Sequence, residues 1–227
     1  MRRVSAVGAL IHKGSVAIIR TMSGRTNTVR ATPRALHRTA TIEGILDVAW
    51  AIVREEGLAA LSLRDLGARV GMRAQSLYSY FPSKHAIYDA MFRQGYEQFL
   101  REAVPGEGGA VPADWTGEAL AHALSFFDFC TADPVRYQLL FQRSIPGFVP
   151  SDDSMALAIR SYDETVGRLL RFGVTDQAGL DMWTAVLSGL VSQQVANDPG
   201  GSRWRSLVAP AVLMLQSATT HTKGATP

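Results

Sequence analysis

An all-α fold is predicted for this chain of 227 residues, and three observations predict it. Apolar residues recur at three- and four-residue steps through most of the sequence after residue 40, the period of an amphipathic helix. Ser, Asp, Pro and Gly punctuate those stretches where helix caps and breakers belong. Within Thr39–Phe92 two short helical stretches flank a tight turn at Val70-Gly71-Met72, the layout of a helix-turn-helix whose second helix enters the DNA major groove. The expected architecture is an N-terminal three-helix DNA-binding domain followed by a helical ligand-binding and dimerisation bundle, about nine helices in all.

The first helix is expected from Thr41 to Glu56. Ile42, Ile45, Leu46, Ala49, Ile52 and Val53 form its apolar face, and Trp50 reads as core. Gly57 stops it, since glycine takes a left-handed conformation at least cost. The second helix starts at Ser62, a good N-cap. Asp65 stands three residues on, as in a capping box, and Leu61 and Leu66 fill the staple positions. Leu63, Leu66 and Val70 face inward, and Gly71 supplies the turn.

The third helix, Ala74 to Phe81, buries Leu77 and Phe81, which leaves Arg73, Gln75, Ser76, Tyr78, Ser79 and Tyr80 outward. All can donate hydrogen bonds and none is a carboxylate. Gln and Arg match purine edges in two-point geometry, while Tyr and Ser hydroxyls suit phosphates. Pro82 ends the helix and Ser83 caps the next, placing Lys84 in its first turn. Ser62 and Arg64 complete the expected DNA-facing set: Ser62, Arg64, Arg73, Gln75, Ser76, Tyr78, Ser79, Tyr80 and Lys84.

The run LSLRDLGARVGMRAQSLYSYFPSKHAIYDAMF, and above all GMRAQSLYSYFPSK with the following Ile87, resembles the DNA-binding domain of tetracycline-repressor-like (TetR family) transcriptional regulators over about 50 residues. The resemblance implies backbone contacts for Tyr78, Tyr80 and Lys84, and approach to bases by Arg73, Gln75 and Ser76. Tyr80 stands where many members have His, and Gly67 where many have Ala. It further implies an effector cavity in the C-terminal half.

Charge alone says little. Residues 1–93 carry 14 Lys/Arg against 6 Asp/Glu and residues 94–227 carry 9 against 14, but the first excess comes from residues 1–38, with 8 basic and no acidic side chains. Residues 1–38 are therefore read as a basic, disordered arm, with Met22 an alternative start. A phosphate- or minor-groove-binding role for it is the sharper alternative. Its apolar stretch is broken by His12, Lys13 and Gly14, which argues against a signal peptide. The domains are expected at 39–85 (helix-turn-helix), 86–220 (effector-binding and dimerisation bundle) and 221–227 (tail).

Beyond Phe92 the fourth helix is expected to reach Val104, with a loop at PGEGGAVPAD. Further helices follow at about Trp115–Thr131, from Asp133-Pro134 onward, Asp152–Phe172, Asp176–Ala196 and Arg203–Ala218. The last is apolar nearly all round, so it needs burial on two sides, most simply against its own copy in a twofold dimer. Leu187, Leu190, Val191, Leu213 and Leu215 are the candidate interface. Phe126, Phe127, Cys130, Tyr137, Phe141, Tyr162, Trp183 and Gln193 are the candidate ligand pocket, although aromatic side chains at helical spacing usually form core.

No catalytic constellation, cofactor motif or metal-ligand spacing is present. The five histidines are scattered, and His122 and Cys130 lie over two helical turns apart. The single cysteine allows no intrachain disulfide and favours a reducing cytoplasm. No apolar run is long enough for a bilayer. The expected function is a non-enzymatic, ligand-responsive repressor, acting as a homodimer on a pseudo-palindromic operator of double-stranded DNA. A constitutive or architectural DNA-binding protein without a small-molecule effector is the alternative. An interaction module that has lost DNA binding is another.

Overall fold

The computed structural model describes residues 32–104 and 115–222. The expectations for residues 1–31, for the loop 105–114 and for the end of the tail, 223–227, lie outside the described residues. Among the described residues there is no strand. The helices are α1 (Pro33–Glu56), α2 (Leu63–Arg69), α3 (Ala74–Tyr78), α4 (Lys84–Glu102), α5 (Trp115–Ala132), α6 (Pro134–Phe141), α7 (Asp152–Phe172), α8 (Gln177–Asn197) and α9 (Val208–Thr222), with 3₁₀ turns at Leu58–Ala60 and Arg205–Leu207. The chain divides into two units, the first ending at Met91 and including 143–148, the second holding 92–142 and everything after 148. The division falls within α4, between Met91 and Phe92.

In the first unit α1 begins eight residues before the expected Thr41. Thr32 caps it by accepting from the amide of Ala35 at 3.3 Å, and Pro33 takes the first helical position, where a missing N–H costs nothing. Residues 33–38, assigned to a disordered arm, are therefore helical. The core is the buried set Ile45, Ala49, Ile52, Val53, Leu61, Leu66, Leu77, Ile87, Tyr88 and Met91. The Tyr88 hydroxyl donates to the carbonyl of Leu58, tying α4 to the 3₁₀ turn, and burial pushes this phenol up to about 12.

The α2–α3 turn has a complete hydrogen-bond account. Gly71 N–H donates to Ala68 O at 3.2 Å and Met72 N–H to Gly67 O at 2.9 Å, the paired bonds of a Schellman motif, with Gly71 at φ 68°. Gly67 has a packing reason as well: a Cβ there would stand 3.2 Å from the Met72 carbonyl oxygen. The weaker helix propensity of glycine is thus offset by the close approach it permits. Gly71→Ala is expected to cost about 1–2 kcal/mol of stability, because an L side chain meets its own backbone in the left-handed region. A urea-midpoint shift in the first unit checks this, and Gly71→Asn should cost less.

The second unit is organised on α5, against which α7, α8 and α9 pack. Asp133 caps α6 and Asp176 caps α8, each accepting a backbone amide three residues on (Arg136 at 3.0 Å, Gly179 at 2.8 Å). The expected ninth helix instead opens with the 3₁₀ turn Arg205–Leu207, after which Pro210 sits in the first turn of α9, where it breaks no helical bond. α9 runs on to Thr222, into the segment assigned to the tail.

Buried within the chain are Leu187 (3% exposed), Val191 (0%) and Leu215 (5%), which corrects their assignment to an intermolecular interface: their apolar surface is spent on the core of their own unit. Leu190 is half-buried, and Leu213 and Met214 remain exposed.

Candidate nucleic-acid interface

The outward surface of α2, α3 and the start of α4 is built on a buried anchor. Leu77 is fully buried and Phe81 nearly so, and the amides of Tyr80 and Phe81 both donate to the carbonyl of Leu77, at 3.0 and 2.9 Å. α3 is therefore one and a half turns of α-helix, ending at Tyr78 rather than Phe81 and closing into a turn before Pro82. Holding Leu77 inward leaves Arg73, Gln75, Ser76, Tyr78 and Ser79 exposed, and Tyr80 half-buried. Tyr78 is 50% exposed, a large aromatic with nothing to cover it in this unit.

Each remaining member of the set has a definite local role. Ser62 caps α2 by accepting from the amide of Asp65 at 3.1 Å, and its hydroxyl proton stays available to an acceptor. The Asp65 carboxylate does not reach back to the cap: it pairs with Arg69 at 3.1 Å. Arg64 is exposed on the first turn of α2. The Ser79 hydroxyl donates to Ser76 O at 2.7 Å. The Lys84 ammonium donates to the carbonyl of Ala59 at 2.9 Å and lies 5.5 Å from the Tyr88 ring. Partial burial lowers the pKa of Lys84, and this amine is engaged with its own fold.

Two residues that sequence reasoning did not single out shape this surface. Arg69 gathers three carboxylates, Glu55 at 2.6 Å, Glu56, and Asp65 at 3.1 Å. It draws the acids at the end of α1 and on α2 into one cluster and raises its own pKa by the bond to Glu55. Arg38 donates to the carbonyl of Ser79 at 3.3 Å and holds its guanidinium 4.8 Å from the Tyr80 ring centre. The signal for Arg38 was the Thr32-Pro33 pair, which marks a helix start upstream of the apolar stripe.

Three of the eight candidate effector residues are brought together in one cluster. Phe126, Tyr137 and Phe141 join Tyr96, Phe99 and Phe129 in a cluster of rings, with centroids 5.4 Å apart for Phe126–Phe141 and 5.9 Å for Tyr137–Phe141. Trp183 packs instead on Phe172, at 6.0 Å. Phe127 and Cys130 are buried, and burial pushes the Cys130 thiol up, out of the reactive range. Tyr162 is half-buried on α7. Gln193 is exposed and accepts from Asn197 at 2.7 Å, so it points away from the interior. Its neighbour Gln194 is the buried amide, accepting from the amide of Trp204 at 3.0 Å and donating to Asp198. The polar interior of this unit lies elsewhere. Glu118 and His122 on α5 face Thr165, Arg168 and Arg171 on α7, with Arg168 and Arg171 donating to Glu118 and His122 Nε2 at 3.2 Å from the Thr165 hydroxyl.

Among the described residues no group of three or more His, Cys, Asp or Glu stands ready for a metal ion, and no helix is long and apolar enough to cross a membrane.

Residues 45–91 match the family described as bacterial regulatory proteins, tetR family. The chain is 32% identical over 102 residues to the HTH-type transcriptional repressor DrrR1 of Streptomyces coeruleorubidus, covering 45% of this chain and 38% of that one. It is 24% identical over 107 residues to the HTH-type transcriptional regulator Rv1816 of Mycobacterium tuberculosis, covering 47% and 46%. The matches thus span less than half the length of these relatives. Over 81% of its length the fold is similar to that of SCO4313 (25% identity, TM-score 0.64, 98% of that chain). It is also similar to PfmR from Thermus thermophilus, a TetR family transcriptional regulator (20%, TM-score 0.56, 76% and 97%).

Proposed function

We propose, for a chain whose N-terminal helix-turn-helix is of the tetR family of bacterial regulatory proteins, that it acts as a homodimeric transcriptional repressor on a pseudo-palindromic operator. The observation that carries this is the exposed, carboxylate-free surface from Arg73 to Tyr80, fixed by the buried Leu77. Arg73, Gln75 and Ser76 read base edges there, and Tyr78 lies against backbone.

Support for the dimer comes from α8 and α9, where Met182, Leu213 and Met214 are more than half exposed and Ala185 and Gly189 offer small residues for close approach. Two recognition helices about one DNA turn apart would then read two half-sites. An effector that binds the mismatched spacing more tightly, by several kcal/mol, would empty the operator. One observation favours the reading without an effector: Phe126 and Phe141, two of the aromatic residues expected to line a cavity, pack edge-on against each other and against Phe99.

The test is selection of bound duplexes from a random-sequence library by the purified chain, followed by footprinting. A twofold-related sequence should emerge, and Gln75→Ala should weaken it by about 1–3 kcal/mol, roughly 5- to 150-fold, while relaxing preference at one position per half-site. Recovery of no preferred duplex, or sedimentation as a monomer at micromolar concentration, would overturn the corresponding part.

A further inference from the structure

The first two turns of α1 bury no side chain in their unit. Every residue from Thr32 to Ala40 is exposed, and the buried face of the helix begins only at Ile45. Arg34, His37 and Arg38 fall at i, i+3 and i+4, one face of the helix, and the sequence has no acidic residue between Thr32 and Ile42. Two turns of helix carrying like charges and no buried surface gain little from folding alone.

Arg38 fixes where this face lies. Its guanidinium bonds to the carbonyl of Ser79 and covers Tyr80, the two residues that follow α3. The basic face therefore begins beside the C-terminal end of the recognition helix and continues outward, with Arg34 one turn, about 6 Å, farther along the axis. Glu55, Glu56 and Asp65 are collected on Arg69, away at the other end of α1.

From this juxtaposition we infer that the first two turns of α1 bind the phosphate backbone of the same duplex, flanking the groove that α3 enters, with Arg34 and Arg38 as the charged contacts. Arg38 also acts as a positioning residue, because it braces the end of α3. The inference rests on the DNA-binding reading above. It adds a sequence-independent contribution to affinity, since phosphates hold a protein in register without specifying bases.

The experiment uses the full chain with two probes: a duplex the protein has itself selected from a random library, and an unrelated duplex of equal length. Affinity is measured against salt concentration for the wild type, Arg34→Gln, Arg34→Lys and the double variant Arg34→Gln/Arg38→Gln. Arg34→Gln should lower the slope of log K against log salt by about 0.9 per bound copy, and the double variant by about 1.8. Arg34→Gln should weaken both duplexes alike, roughly 10-fold at 0.1 M salt, leaving their ratio unchanged, whereas the double variant, which also removes the Arg38 brace on α3, should weaken the selected duplex more than the unrelated one. Arg34→Lys, which keeps the charge, should restore the wild-type slope. Arg34 is exposed, so an unchanged thermal unfolding curve is expected for its variants. Wild-type slope and affinity in Arg34→Gln would overturn this inference alone. Failure of the wild type to select any duplex would overturn the DNA-binding reading and this inference with it.

Discussion

Phe99→Ala should lower the stability of the second unit by about 3–5 kcal/mol, the range for deleting a large aromatic from a packed interior. Phe99, on α4, is 3% exposed. Its ring lies 5.0 Å from Phe129, 5.5 Å from Phe141, 6.1 Å from Phe126 and 6.2 Å from Tyr96, all four in edge-on geometry. It thereby joins α4 to both α5 and α6. The buried Arg136 stacks 3.8 Å from Phe129 and donates at 2.8 Å to the Phe129 carbonyl and at 2.8 Å to Gln98. A cavity at Phe99 would loosen Phe129, the ring on which that cation stacks, so collapse to refill it would disturb the cation's seat. Phe99→Leu keeps most of the volume and leaves the smaller cavity, so it should cost clearly less. Urea unfolding, with the two units followed by separate probes because one transition need not report both, measures the difference. A loss under about 1 kcal/mol for Phe99→Ala would show that the cluster is loosely packed.

This cluster also shows what the sequence could not distinguish. Phe126, Tyr137 and Phe141 read equally well as cavity lining or as core, because a large apolar side chain at helical spacing carries no mark of what it faces. The helix-turn-helix was different. There the chemistry of individual residues dictates geometry: the Ser62 hydroxyl caps α2, Gly71 adopts φ 68°, and Leu77 is the buried anchor of α3. Hydrophobic period located the helices of the second unit to within a few residues, yet could not say whether Leu187, Val191 and Leu215 face their own core or another copy. A rotation of one residue, 100°, separates exposed Gln193 from buried Gln194, which is finer than periodicity resolves.

Two features ran against the pattern itself. The start of α1 has no buried face, so it had no apolar period to detect, and its basic composition resembled an unstructured arm. α7 turns Ser154, Ser161 and Thr165 toward the interior, while Ile159 and Leu170 are exposed. An amphipathic reading that puts every polar residue outward misplaces these three, although Leu169 and Phe172 on the same helix are buried as it expects. The departure has a local cause at Thr165: the α5 residues met there, Glu118 and His122, are themselves polar and buried, and buried polar groups require polar partners.

That α5–α7 contact should make the protein sensitive to mild acid. His122 is 4% exposed, and its pKa is lowered to about 4, first by burial and then by the positive charge of Arg168, with the Ala103 carbonyl and Glu118 pulling weakly the other way. The charged groups facing it from α7 are Arg168 and Arg171, both held on Glu118. In the unfolded chain the same imidazole titrates near 6.5. Between pH 6.5 and pH 4 the unfolded state therefore binds a proton that the native state refuses, and stability rises with pH across that window. Run downward, acidification from pH 7 to pH 4 should remove about 3 kcal/mol through this residue alone, with little further loss from it below pH 4. His122→Leu removes the titration, and although it leaves the Thr165 hydroxyl without its imidazole partner, that loss is the same at every pH. The quantity to compare is thus the slope of stability against pH, from urea midpoints at pH 7, 6, 5 and 4 in wild type and variant. The variant should be the flatter by about 3 kcal/mol over the range. Parallel curves would mean that the imidazole is hydrated in the native state, and that the polar seam between α5 and α7 is open to water.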